Sequence, residues 1–329
     1  MTKFNLGIVL LVFSGVLFLA GVSPLSVSFF NQTPPGETAE VFAPGIVNTG
    51  KWTRDVAISP DGKEFYFGMG GETYRTAKIY VSREVDGAWS EPVVASFSSD
   101  PDWTFSEPAI SPDGKQFFFA SNRAAEGEEP PGIGRLWVMN RSGEDWGEPM
   151  LLPPVINNGS AQYFPSLTTE GTLYFTRRFP SGQEKIVRSR LINGEYGPVE
   201  ILPDEVNGGR THYNAFVAPD ESYIIVPTEG RSDSMGGTDY FISFRNADDS
   251  WAGPINMGAG VNTRAGDEWS PYVSPDEKYF FFMRSRSNAV SVLRNMVGEG
   301  QENSISDNTN NRLALIWWMD AEFIESLRP

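Results

Sequence analysis

Along most of the chain, apolar residues come in short runs rich in aromatic and β-branched side chains, separated by clusters of Gly, Pro, Asn, Asp and Ser. "AISPDGKEFYFGMG" from Ala57 and "AISPDGKQFFFASN" from Ala109 show the form. Runs of this length and content predict buried strands, and the polar clusters predict tight turns. Pro fixes φ at the second turn position, Asp accepts hydrogen bonds from the turn backbone, and Gly tolerates positive φ.

The pattern recurs. "SPDGK" begins at Ser59 and Ser111, and weaker copies follow as "TTEGT" from Thr168, "APDES" from Ala218 and "SPDEK" from Ser274, in steps of 52, 57, 50 and 56 residues. After each copy comes a strand-like run: "FYF", "FFF", "LYF", "YIIV" or "YFFF". Other markers keep phase with the turns. Trp89, Trp146, Tyr196 and Trp251 recur before a proline, while Asn48, Asn157, Asn207 and Asn262 recur ahead of a turn, with Asp100 in that place in the second unit. Each unit reads as four strands; in the first, "DVAIS" is strand a, "EFYFG" strand b, "KIYVS" strand c and "EPVVAS" strand d. Repeated four-stranded units without helices predict an all-β fold, a five-bladed β-propeller of four-stranded antiparallel blades.

The last unit has strands a, b and c ("SPYVS", "KYFFFM", "LALIWWM") but ends in "DAEFIESLRP", which reads as a short helix, so its strand d is missing. "AEVFAPGIVN" at residues 39 to 48 matches the end of a strand d. The N-terminal strand is therefore expected to complete the last blade and remove the open edge of the ring.

The segments "EPAISPDGKQFFFASNR", "GGTDYFIS" and "DEWSPYVSPDEKYFFF" resemble the TolB-like, WD-repeat-like β-propeller family of exported bacterial proteins, over residues 39 to 329. The resemblance implies the propeller fold. It leaves function open, because the family includes periplasmic proteins that bind partner proteins and propeller domains attached to peptidases. The sequence departs from the family pattern in a polar insertion at 286 to 312, and a peptidase domain after the ring is not expected.

At the other end, Lys3 precedes an apolar run from Leu6 to Val22. Residues 1–28 read as a signal peptide or an N-terminal membrane anchor, 29–38 as a linker, and the protein as exported: periplasmic, extracellular or membrane-anchored. "LAG" at 19 to 21 is followed by Val22 rather than cysteine, which excludes lipid attachment there. The chain has no cysteine, so disulfides and thiolate chemistry are excluded. A formal charge of -16 argues against nucleic-acid binding, which rests on Lys and Arg. A monomer is expected, attached to a membrane only through the N-terminal segment if that is retained.

Motifs of chemistry are few. No nucleophile elbow, phosphate loop, dinucleotide fingerprint or zinc-protease helix is present, and His212 is the only histidine. No cofactor is evident and no metal ligands are assigned; calcium at Asp61, Asp113, Glu170, Asp220 and Asp276 has no motif behind it, and these acids read as turn residues. Function is expected where residues just before each strand a gather around the central channel. Aligning the repeats brings together Arg54 with Asp55, Ser106 with Glu107, Gln162 with Tyr163, His212 to Asn214, and Asp267 to Trp269. Arg54, Tyr163, Arg210, Asn214 and Trp269 are the expected ligand-binding residues; Asp55, Glu107, Glu268 and His212 are the candidates for catalysis. Two functions fit: an exported non-catalytic propeller binding a protein, peptide or glycan at the channel mouth, which is preferred, or a carbohydrate-active hydrolase or lyase using the mouth carboxylates.

Overall fold

The computed structural model describes residues 29–70, 76–129, 132–264, 266–287, 289–297, 301–305 and 312–329. The expected signal peptide or anchor, 1–28, lies outside them. Among the described residues no helix is long and apolar enough to cross a membrane.

The described residues form five antiparallel blades around a common axis, and Leu191–Ile192 pairs with Glu195–Tyr196 as a separate two-stranded ribbon. The first blade runs Trp52–Ile58, Glu64–Gly70, Lys78–Val85, and the second Phe105–Ile110, Gln116–Ser121, Arg135–Ser142. The third is Ala161–Leu167, Leu173–Arg178, Glu184–Ser189, and the fifth Glu268–Val273, Tyr279–Ser287, Arg312–Asp320. In the fourth, the inner strand is split into Thr211–His212 and Phe216–Val217, ahead of Tyr223–Glu229 and Thr238–Phe244. Inner strands of neighbouring blades touch all the way round, which places strand a on the channel. The outer strand is shorter than its sequence pattern promises: Val93–Val94, Met150–Leu151, Glu200–Ile201 and Ile255–Asn256 each pair over two residues with strand c.

The ring closes as expected. Glu40–Val41 pairs antiparallel with Trp317 and Trp318 as the outer strand of the fifth blade. Phe42 continues the contact, stacking on Phe65 of the first blade at 4.9 Å and meeting Trp318 of the fifth edge-on at 5.1 Å. One short segment thus welds two blades through a buried aromatic cluster.

The recurring asparagines explain how each outer strand is held. Asn207 takes the Ile186 N–H at 2.7 Å and donates to the carbonyls of Ile186 and Leu202 at 2.9 and 2.7 Å. Asn157 does the same to Leu136 and Leu152, and Asn48 to Ile316 and Phe42. A carboxamide mimics a peptide group, so it pairs both with strand c and with the segment leaving strand d. Asn262 clamps Tyr240 in the same way. Asp100 stands in phase with these asparagines, but in the first blade another residue makes the clamp. Ser98 lies buried there, its hydroxyl accepting from Ile79 N and placing its one proton between the carbonyls of Ile79 and Ala95, 2.8 and 3.1 Å away. A carboxylate cannot donate to those carbonyls, whereas a hydroxyl does both jobs.

The "SPDG" strings are turns between strands a and b. Ser111 donates to Asp113 at 2.7 Å and accepts from Gln116 N at 2.9 Å, while Gly114 sits at φ 71. The described part of the polar insertion is packed: Ala289–Met296 is helical, and Ala289, Leu293 and Ile305 are buried against the fifth blade. Phe323–Ser326 forms the short closing helix.

Replacing Asn48 by alanine strands the buried N–H and C=O of Ile316 and the C=O of Phe42, and is expected to cost about 2–4 kcal/mol. Chemical denaturation followed by circular dichroism measures it. Thr49→Ala, at a neighbouring position with no clamp, serves as the reference and should change the midpoint far less.

Candidate functional site

Each inner strand is broken by a bulge at the same depth. Asp55, Glu107, Phe164, Asn214 and Ser270, each four residues before its turn marker, all have φ between 51 and 59. Pairing with strand b slips at this point in the first, second, third and fifth blades. A bulge re-aims the groups on either side of it, and here it brings the side chains of Asp55, Glu107, Asn214 and Ser270 and the backbone N–H of Phe164 to one level.

They form a hydrogen-bonded belt across the channel. The Phe164 N–H of the third blade donates to Glu107 Oε2 of the second at 2.9 Å. Glu107 Oε1 takes Arg54 of the first blade at 2.9 Å, and the same guanidinium reaches Asp55 Oδ1 at 2.8 Å. Asp55 Oδ1 accepts from Ser270 of the fifth blade at 2.5 Å, and Asn214 of the fourth lies 3.4 Å from that serine. Burial raises the Glu107 carboxyl above its ordinary range, against the pull of Arg54.

The belt divides the channel. On the side toward the loops between strands b and c, Trp269 stacks with Trp52 at 6.5 Å, meets Tyr213 at 6.2 Å, and carries the Arg54 guanidinium 6.0 Å above its ring. Half-buried Tyr163 stands close to Glu107, and burial together with Glu184 raises its hydroxyl. On the turn side the channel is an apolar cavity of about 250 Å³.

The structure therefore brings together Arg54, Asp55, Glu107, Asn214, Tyr163 and Trp269. It sets the other candidates apart. Glu268, two residues before the belt position, is fully buried beside Thr263, whose hydroxyl donates to Oε1 at 2.7 Å, with Arg284 Nε at 3.6 Å. His212 is buried in a cleft between the third and fourth blades, lined also by Glu184, Lys185 and Arg210; burial, helped by Lys185, pushes it down to about 4. Arg210 is exposed and paired with Glu229. Sequence reading missed Phe164 and Ser270, because the third and fifth units were aligned one or two residues early. The constant offset of four from the turn marker, and the proline following Glu107, Phe164 and Ser270, was the available signal. Among the described residues no group of three acidic or histidine side chains is placed to hold a metal ion.

Glu268 gives a pH test. Burial is the main cause that raises its carboxyl to about 7, with Asp239 and Asp267 adding to it. In the unfolded chain the group ionises near the usual ~4.5, so the unfolded state loses its proton first and folding stability falls as pH rises from about 4.5 to about 7. Glu268→Gln cannot ionise and removes this loss. Relative to the parent, the variant is expected to gain on the order of 1–3 kcal/mol between pH 4.5 and pH 8, read from denaturant midpoints.

No family model and no curated protein matches this chain. Solved structures do. The native arabinanase Arb43A of Bacillus subtilis is 11% identical with a TM-score of 0.50, over 84% of this chain and 97% of that one. TolB of Acinetobacter baumannii is 17% identical with a TM-score of 0.47, over 82% of this chain and 57% of that one. A family-43 endo-arabinanase of Bacillus licheniformis is 12% identical with a TM-score of 0.47, over 83% and 94%. At 11% identity the likeness to the Bacillus subtilis arabinanase is one of fold alone.

Proposed function

We propose that this protein is an exported, non-catalytic propeller that binds a protein, peptide or glycan on the face bearing Trp52, Trp269, Tyr213 and Tyr163. One observation carries the choice. Arg54 lies between Asp55 and Glu107 and bonds to both, so the two carboxylates are stapled by one cation rather than facing each other across open space. A glycosidase of the usual kind needs two carboxyl groups flanking the scissile bond, one to give a proton and one to attack or activate water. Here both oxygens of Glu107 are already engaged, by Arg54 and by the Phe164 amide.

The surface above the belt suits recognition. Stacked indoles offer flat apolar faces, and Arg54 beside them adds positive charge, the combination that polar ligands with apolar faces require. The apolar run ahead of the ring supports export. The alternative is hydrolysis of a carbohydrate, as the arabinanase neighbours are named for, and it makes a different prediction for Glu107.

The test is a binding screen of oligosaccharides and short peptides by calorimetry, with product analysis of every ligand that binds. Binding without turnover is expected. Trp269→Ala and Arg54→Met should each weaken it about tenfold or more, the loss of one stacked or charge-assisted contact. Appearance of cleavage products that vanish in Glu107→Gln would overturn the reading in favour of a hydrolase.

A further inference from the structure

The turn side of the channel is the other place where all five blades converge, and it is built unlike the mouth. Its wall is apolar for the larger part, with Val56, Ile58, Leu167 and Phe216 among its lining residues. The hydroxyls in that wall already have partners. Tyr272 Oη takes the Ile58 N–H at 3.0 Å, Ser166 takes Val217 N–H at 3.0 Å, and Ser111 and Ser274 bind within their own turns. The cavity of about 250 Å³ is larger than the roughly 150 Å³ that holds a benzene ring in an apolar core. It therefore suits a compact apolar body.

The rim adds a charge. At the glycine position of the turn, Gly62, Gly114 and Gly171 have φ of 73, 71 and 79, but the fourth and fifth blades place Glu221 and Glu277 there, at φ 59 and 60. A left-handed glutamate is strained in a way glycine is not. Glu221 has a structural use, since its carboxylate accepts from Tyr174 Oη at 2.5 Å. Glu277 lines the cavity, is exposed, and pairs with no cation among the described residues. The nearby turn lysines are taken: Lys278 lies 3.8 Å from Asp276, Lys115 3.0 Å from Asp113 and Lys63 3.8 Å from Glu84. An unpaired acid held in a strained turn at the edge of an apolar pocket is an arrangement that stability alone would have replaced with glycine.

We infer that the turn-side cavity is a binding site for a compact organic cation, with an aromatic or branched apolar body in the channel and its ammonium group at Glu277. This site is separate from the mouth face, with the Arg54 belt between them, so it stands or falls apart from the function proposed above.

The probes are three molecules of one shape: tryptamine (cation), indole (neutral) and indole-3-acetate (anion), titrated at pH 7 by calorimetry and by saturation-transfer NMR. Tryptamine is expected to bind about 3- to 10-fold tighter than indole, the worth of one partly exposed ion pair, and indole-3-acetate weaker than both. Glu277→Gly should equalise tryptamine and indole while raising the unfolding midpoint, because it removes the strained residue. Ile110→Trp, which fills the cavity, should abolish binding of all three; Trp269→Ala, across the belt, should leave it unchanged. The inference is overturned if the anion binds as well as the cation, if Glu277→Gly keeps the preference, or if a folded Ile110→Trp variant binds indole like the parent. It is equally overturned if no probe binds the parent with a Kd below about 10 mM.

Discussion

In every inner strand one residue turns left-handed at the same height, and the rest of the molecule is arranged around that constraint. Asp55, Glu107, Phe164, Asn214 and Ser270 break the regular pairing with strand b, and their polar groups meet across the channel. Crowding polar groups at the axis of a ring has a desolvation cost unless every one of them finds a partner. The Arg54 guanidinium answers it for the two acids, and the Phe164 amide and Ser270 hydroxyl complete the chain between blades. Because the links run from blade to blade, the belt resists radial opening of the ring as well as filling its centre.

The same constraint fixes the chemistry on either side. Toward the strand b to strand c loops the belt presents a cation under stacked indoles; toward the turns the channel is an apolar cup. A tube lined evenly by repeated residues would have had no such polarity. The asymmetry arises because the residues before the bulge differ from blade to blade, whereas those two positions after it are small or apolar in all five: Ala57, Ala109, Ser166, Phe216 and Tyr272 each stand two residues before a turn marker.

Much of this was legible in the sequence. The period of the turn strings gave the blade count, and the missing outer strand of the last unit gave the closure, because both follow from local turn chemistry and strand pattern. Arg54, Asp55 and Glu107 were found because they sit at the same offset in the first two units. Glu268 was grouped with them although it stands six residues before its turn marker where Asp55 and Glu107 stand four, and two positions up the strand it is buried beside Thr263, off the belt. His212 drew attention by being the only one of its kind, a property of composition and not of place; in the fold it lies between blades, with a lowered pKa that keeps it neutral at ordinary pH. The Ser98 clamp was missed because a hydroxyl and a carboxamide look unrelated as letters while meeting the same pair of backbone groups.

Ring closure has a consequence for how the molecule is made. Asn48 bonds to Ile316, a partner 268 positions along the chain, and the outer strand beside it joins the last long strand to appear. Such a contact carries the full entropy of bringing distant segments together and cannot form until the last blade exists. Until the last blade is made Phe42 lacks its partners Phe281 and Trp318, and the fifth blade is finished by a strand from the other end of the ring. A ring fastened in this way has an order of assembly written into it: four blades and most of a fifth must stand before the clasp has anything to grip.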